Sequence, residues 1–120
     1  MGSYIYIASP YSHPEPFVRE SRYLQVSKYV RDCLESGVCV FSPIVHCHEL
    51  AKIWGLPKEA DYWQEYNRAM LLGARKLEVL CLSGWKESQG VSWEIKESER
   101  QGLPIDYIVP WNYETESFGQ

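Results

Sequence analysis

Residues 84–102, GWKESQGVSWEIKESERQG, hold the side chains best placed to do chemistry. A Ser-x-Gly turn at Ser88 and Gly90 follows an apolar, strand-like run over residues 77–82. It leads into a helix expected to carry Glu94 in its first turn and to stop at Gly102. A polar loop feeding a helix start offers unpaired backbone N–H groups and the positive end of the helix dipole. That environment suits an anion such as phosphate, or keeps a nearby glutamate ionised at neutral pH. An ionised carboxylate in a pocket beyond a strand's C-terminal end could serve as a nucleophile. The other reading open to Glu94 is that it only complements the dipole of its own helix.

The surrounding elements decide what this segment faces. Residues 4–8 (YIYIA) are β-branched and aromatic and read as a strand, broken by the loop over residues 9–14. A helix is expected from about residue 16 to 36, with an apolar stripe of Tyr23, Val26, Val30, Cys33 and Leu34 and a stop at Gly37. Residues 38–41 form a short strand and residues 42–48 a loop, while residues 49–55 read as a short helix or an irregular segment. Pro57 opens a further helix with Glu59 and Asp61 in its first turn and Trp63, Met70, Leu71 and Ala74 on one face. Residues 77–82 and 105–109 supply the third and fourth strands.

Strands alternating with helices imply parallel pairing and right-handed crossovers. The expectation is one α/β domain over residues 1–120, a Rossmann- or flavodoxin-like three-layer sandwich with a mainly parallel sheet of four to five strands. Ligands of such sheets bind beyond the C-terminal strand ends. The loops over residues 9–14, 42–48, 84–90 and 110–113 should therefore converge. Asn67 lies on the inward face of its helix and needs a partner, either in the core or in the pocket.

Composition narrows the classes. The 120 residues suit a single core, and 45% hydrophobic with 23% charged residues is ordinary for a soluble globular protein, with the cysteine usage pointing to the cytoplasm. A net charge of −4 without a basic stripe argues against nucleic-acid binding. No run approaches a membrane span, and no signal peptide precedes the first strand. Cys33, Cys39, Cys47 and Cys81 contain no CxxC pair and are expected to be reduced, buried thiols.

His46-Cys47-His48 invites a metal reading, since an extended segment would put both histidines on one side. No third or fourth ligand stands at a recognisable spacing, so no metal and no cofactor is expected. Instead one histidine, with His46 carried as the candidate, should line the pocket. Trp85 and Trp93 flank the proposed site; either could stack on a base, and Trp93 could equally pack at an interface.

The opening IYIASPYS, the segment Ser42-Pro43-Ile44…His46 and the run Ser88-x-Gly90-Val91-x-x-Glu94-Ile95 with Gly102-x-Pro104 resemble the nucleoside 2-deoxyribosyltransferase-like superfamily, in particular its small bacterial and phage branch. The similarity spans the first to the fourth strand. It implies cleavage or exchange of the N-glycosidic bond of a (deoxy)nucleoside or nucleoside 5′-monophosphate, with Glu94 forming a covalent sugar–enzyme intermediate. By the same resemblance Tyr6 sits beside sugar and nucleophile, and Ser88 and Gly90 hold the 5′ end. Ala8, Ser9, Ser12, His46 and Trp85 are the further expected substrate contacts.

Two departures stand out. The family's aspartate near the base is replaced by Asn67, which can hydrogen-bond a base but cannot deliver a proton. Asp61 or Glu65 would have to serve, or leaving-group activation differs, or the domain is a non-catalytic nucleotide-binding module. The family's phosphate-binding arginine falls near Ser12, with His13 beside it and Arg19 further on. The resemblance also implies a homodimer or larger assembly, with Asn112 or Tyr113 of a neighbouring subunit completing the site. A third reading, a partner-binding protein, rests on the abundant Trp and Tyr.

Overall fold

Successive residues of a strand face opposite sides of its sheet, and in the first strand that alternation sorts the whole core. The computed structural model describes residues 3–57 and 59–110. Its elements run β1 (Tyr4–Ala8), α1 (Pro16–Glu35), β2 (Val40–Phe41), α2 (Pro43–Trp54), α3 (Ala60–Leu72), β3 (Ala74–Leu80), α4 (Gln89–Gln101) and β4 (Ile105–Ile108). From β1, Tyr6 and Ala8 join Leu71, Leu77, Val79 and Val91 on the side covered by α3 and α4. Ile5 and Ile7 join Val26, Val30, Leu80 and Leu82 on the side covered by α1. Both faces of the sheet are buried, which explains why the central strands read as nearly continuous apolar runs.

All strands among the described residues are parallel, four of them in the order β2-β1-β3-β4, so the expected α/β sandwich is the fold. The register pairs Tyr6 with Phe41 on one side and with Leu77 on the other. The chain steps outward from β1 to β2 and then to β3 on the opposite side. Between β1 and β3 the adjoining loops diverge, and that divergence opens a crevice. No helix among the described residues is long and apolar enough to cross a membrane.

Several local expectations are corrected. Residues 42–48 are not a loop. Ser42 caps α2 by accepting the Val45 N–H at 3.1 Å, Pro43 takes the first helical position, and the helix runs to Trp54 before Gly55 stops it at φ 73°. Ser-Pro is a helix-start signal, and its local chemistry outweighs the polar look of the segment. β2 ends at Phe41 as expected but begins only at Val40, because the Val38 N–H is taken by the Cys33 carbonyl at the end of α1. Helix α3 begins at Ala60, behind Glu59 rather than at Pro57, and Ala74 opens β3 instead of closing the helix face. Cys39 is exposed, contrary to the buried-thiol expectation, because it precedes the short β2. Cys81 lies just past β3 rather than within it, and is half-buried. Residues 111–113, expected at the strand ends, fall outside the described residues.

One side chain ties the two loops that flank the crevice. Arg22 of α1 donates to the Ser12 carbonyl at 2.9 Å and reaches Ser83 with its other terminal nitrogen. Gly84, at φ 90°, lies directly against that guanidinium: a Cβ there would fall 2.5 Å from Arg22 Nη2. Gly37, at φ 80°, has open space around it. Both positions disfavour a side chain on backbone grounds, by roughly 1–2 kcal/mol. Only Gly84→Ala must also displace the brace. Gly84→Ala is therefore expected to lower the melting temperature more than Gly37→Ala, and equal shifts would remove the brace from the account.

Candidate active site

The crevice at the β1/β3 divergence is a cleft walled by four elements. The loop after β1 contributes Ser9, Tyr11 and Ser12; α2 contributes Pro43, Ile44, Cys47, His48 and Ala51; α3 contributes Trp63 and Asn67; α4 contributes Gly90 and Glu94, with Ser88 at its cap. It leaves about 70 Å³ for the centres of water-sized molecules, several times what one water needs. The space therefore suits a ligand group better than a lone structural water.

Helix α4 carries the chemistry. Ser88 caps it by accepting the Val91 N–H at 3.1 Å, which keeps the hydroxyl at the cleft. The helix begins at Gln89, so Glu94 sits in its second turn and not its first. That turn matters. The carboxyl lies beyond the unpaired N–H groups of the helix start, is only 5% exposed, and has the Tyr6 hydroxyl as its donor at 2.5 Å. Burial pushes the Glu94 carboxyl up to about 8, against the smaller downward pull of the Tyr6 hydrogen bond. The expectation of a glutamate ionised at neutral pH is thus corrected: desolvation outweighs the helix end. Tyr6, fully buried, is itself pushed well above the ordinary phenol range, first by burial and then by the adjacent Glu94.

Two polar atoms in the cleft wall have no protein partner. Ser9 is 5% exposed and its Oγ makes no hydrogen bond; the same holds for the buried Oδ1 of Asn67. Unpaired buried polar atoms are costly, on the order of 1–3 kcal/mol each, and in a ligand cleft they mark where a ligand's donors belong. Of the two placements open to Asn67, the cleft is the observed one.

Ser9, Ser12, Asn67, Ser88, Gly90 and Glu94 are brought together as the sequence suggested, with Tyr6 beneath them through Glu94. Three expected contacts are not in the cleft. Ala8 is fully buried in the sheet core, because strand alternation turns it toward α3 and α4. His46 stacks on Tyr66 at 5.6 Å, with its Nε2 3.0 Å from the Tyr66 hydroxyl. On a helix, residues two apart face away from each other, so His48 lines the cleft while His46 does not. Trp85 packs on Tyr107 of β4, sent there by the turn in which its N–H donates to the Leu82 carbonyl. Trp93 lies under the Arg68 guanidinium, between α3 and α4.

The sequence reading missed Tyr11, Cys47 and Trp63. For Cys47 and Trp63 the signal is helical spacing: residues 44, 47, 48 and 51 form one stripe once α2 is recognised, and Trp63 stands four residues before Asn67; Tyr11, in the loop after β1, has no such periodicity. The two alternative acids are elsewhere. Asp61 is exposed, and Glu65 is exposed and pairs with Arg68 at 3.2 Å. Arg19 donates to the His13 carbonyl at 2.5 Å and Arg22 to that of Ser12, so both are engaged with the loop backbone.

Comparison with curated proteins finds no match. A family model described as "Domain of unknown function (DUF1937)" matches residues 3–109, a span that takes in every strand, every helix and the whole cleft lining, and the chain belongs to that family.

Proposed function

We propose that the protein is a small N-glycosidase of the nucleoside 2-deoxyribosyltransferase type. The observation that carries this reading is the buried Glu94 carboxyl facing the cleft with Tyr6 donating to it at 2.5 Å. Once ionised, Glu94 attacks the anomeric carbon as the bond to the base breaks. Asn67 and Ser9 offer their unpaired polar atoms to base and sugar. The Ser88 hydroxyl and the Gly90 N–H meet the 5′ end. Water or a second base then releases the sugar. No cofactor is required. A homo-oligomer in the cytoplasm is the setting that the same reading implies.

Among the described residues, no lysine or arginine lines the cleft. That favours a neutral nucleoside over its 5′-monophosphate. The test is incubation with ribo- and deoxynucleosides and their 5′-monophosphates, reading free base by chromatography and mass spectrometry. Release of base from nucleosides, faster than from monophosphates, is the expected result. No release at high enzyme and long times would overturn the reading.

A second reading, a nucleotide-binding module without catalysis, is favoured by Asn67 in the place of an acid and by a Glu94 that holds its proton to about pH 8. It predicts thermal stabilisation by a nucleoside or nucleotide with no base released.

A further inference from the structure

A purine or pyrimidine leaves a sugar poorly as an anion, so a glycosidase must hand it a proton. Resting on the N-glycosidase reading, the question is which group in this cleft can do so. Asn67 has no proton to give, Asp61 and Glu65 lie outside, and Glu94 is committed to the sugar. Burial pushes the Cys47 thiol up to about 11 and raises the Tyr11 phenol as well, but Tyr11 has an imidazole behind it that can resupply its hydrogen. Beyond the serine hydroxyls and the Trp63 indole, which are too weakly acidic to serve, the wall holds Tyr11 and His48, and these two are bonded to each other.

His48 is only 5% exposed, with its ring stacked on Tyr23 at a centroid distance of 4.1 Å and 18° between planes. Its Nδ1 lies 2.7 Å from the Tyr11 hydroxyl, and its Nε2 lies 3.0 Å from Glu20 Oε1. Glu20 is partly exposed and sits 3.7 Å from Lys52 Nζ. The line therefore runs from a solvent-reached carboxylate, through a buried and fixed imidazole, to a phenol at the cleft surface. Both Tyr11 and His48 line that cleft opposite α4.

We propose that Tyr11, His48 and Glu20 form the proton relay that activates the leaving base, taking over the task an acid would perform at Asn67. The chemistry follows from donor count. Glu20 accepts only, so Nε2 carries a hydrogen. Neutral His48 then accepts from the Tyr11 O–H at Nδ1. When His48 takes a second proton, its Nδ1–H donates to the Tyr11 oxygen, and the phenol hydrogen is released toward the cleft.

As the C1′–N bond breaks, its electron pair goes to the base nitrogen. Tyr11 passes its hydrogen to that nitrogen and receives the Nδ1 proton, while the Glu94 carboxylate bonds to C1′. In the second half a water adds to C1′, and the C1′–Glu94 bond breaks toward Glu94. The water's proton returns through Tyr11 to His48. Each cycle consumes one glycoside and one water and restores every group. Glu20 acts through His48 and is a positioning residue.

The experiment measures kcat/KM over glycosides of graded leaving-group acidity, from 4-nitrophenyl furanosides of ribose and deoxyribose to the natural nucleosides. Wild type is compared with Tyr11→Phe and Glu20→Gln. An aryloxide of low basicity departs without a proton, whereas the natural bases need one. Tyr11→Phe is expected to slow the natural nucleosides about 100-fold or more and the 4-nitrophenyl glycoside less than about 10-fold. Its dependence on leaving-group acidity should steepen accordingly. Glu20→Gln should steepen it in the same direction by a smaller amount, a change that mere loosening of the wall would not produce.

A uniform slowing across the series, or none, would overturn the relay while leaving the glycosidase reading in place. A wild type that cleaves no member of the series would overturn both. His48→Ala empties a buried stacked site and risks unfolding, so the two conservative variants carry the test.

Discussion

Glu94→Gln is expected to abolish base release, by about 10³-fold or more, while the protein still binds its nucleoside. The amide keeps the shape of the side chain and can still accept the Tyr6 hydrogen, but it cannot form the bond to C1′. Turnover equal to wild type would remove Glu94 from the mechanism. The same variant carries a second, independent signature in its stability. The native carboxyl titrates near 8, above its ordinary 4.5, so between those values the folded chain holds a proton the unfolded chain has lost. Stability from this group is fully present below about pH 4.5 and is lost as pH rises through about 8. Glutamine has no charge to bury. Its advantage over wild type should be near zero at pH 4.5 and grow to at most about 5 kcal/mol above pH 8. Urea unfolding at pH 5 and pH 8.5 checks this; a difference that does not grow with pH would mean the carboxyl is not held neutral by burial.

Tyr6→Phe should show its effect in the pH profile as much as in the rate. The Tyr6 hydroxyl is the group that pulls the Glu94 carboxyl downward, against burial. Without it the carboxyl titrates still higher. For the 4-nitrophenyl glycoside, whose departure needs no proton from the relay, wild-type kcat/KM should rise with pH to a limb near 8, as the nucleophile loses its proton. In Tyr6→Phe that limb should move to higher pH, and the rate at neutral pH should fall about 10- to 100-fold. The ring is fully buried beside Phe41 and keeps its packing in the variant, so unfolding is not the expected cause of the loss. A slower enzyme with an unmoved limb would assign Tyr6 to substrate contact rather than to the carboxyl.

The sheet was legible because its signals are strong. YIYIA and the apolar run before Gly84 can only be buried strands when helices alternate with them, and the strand-to-helix order dictates parallel pairing. The sites at Ser88, Gly90 and Glu94 were legible for a related reason: a cap, a glycine and an acid at fixed offsets on one helix keep their geometry in any tertiary setting. Residues 42–48 read as a loop because their polar and proline content masks the Ser-Pro cap, and only the helix that cap starts separates the faces of His46 and His48. Trp85 failed for a different reason. It sits in a turn, where one backbone torsion decides between the cleft and β4 and no periodicity constrains it. The charge state of Glu94 was out of reach altogether, since burial depends on what the distant Tyr6 and the opposing wall exclude from it.

Helix α4 begins at Ser88's cap and carries Glu94 six residues later on the same backbone. At 1.5 Å per residue the two ends of the site are spaced about 9 Å along one rigid axis. The helix is thus a ruler. The gap a ligand bridges between the capping hydroxyl and the carboxyl is shorter than that backbone spacing, because a helical side chain such as Glu94 leans back toward the helix start. On the proposed reading, substitutions in α2 and α3 change which base is admitted, while the spacing of the two groups that meet the sugar is set by hydrogen-bonded backbone and stays the same through all of them.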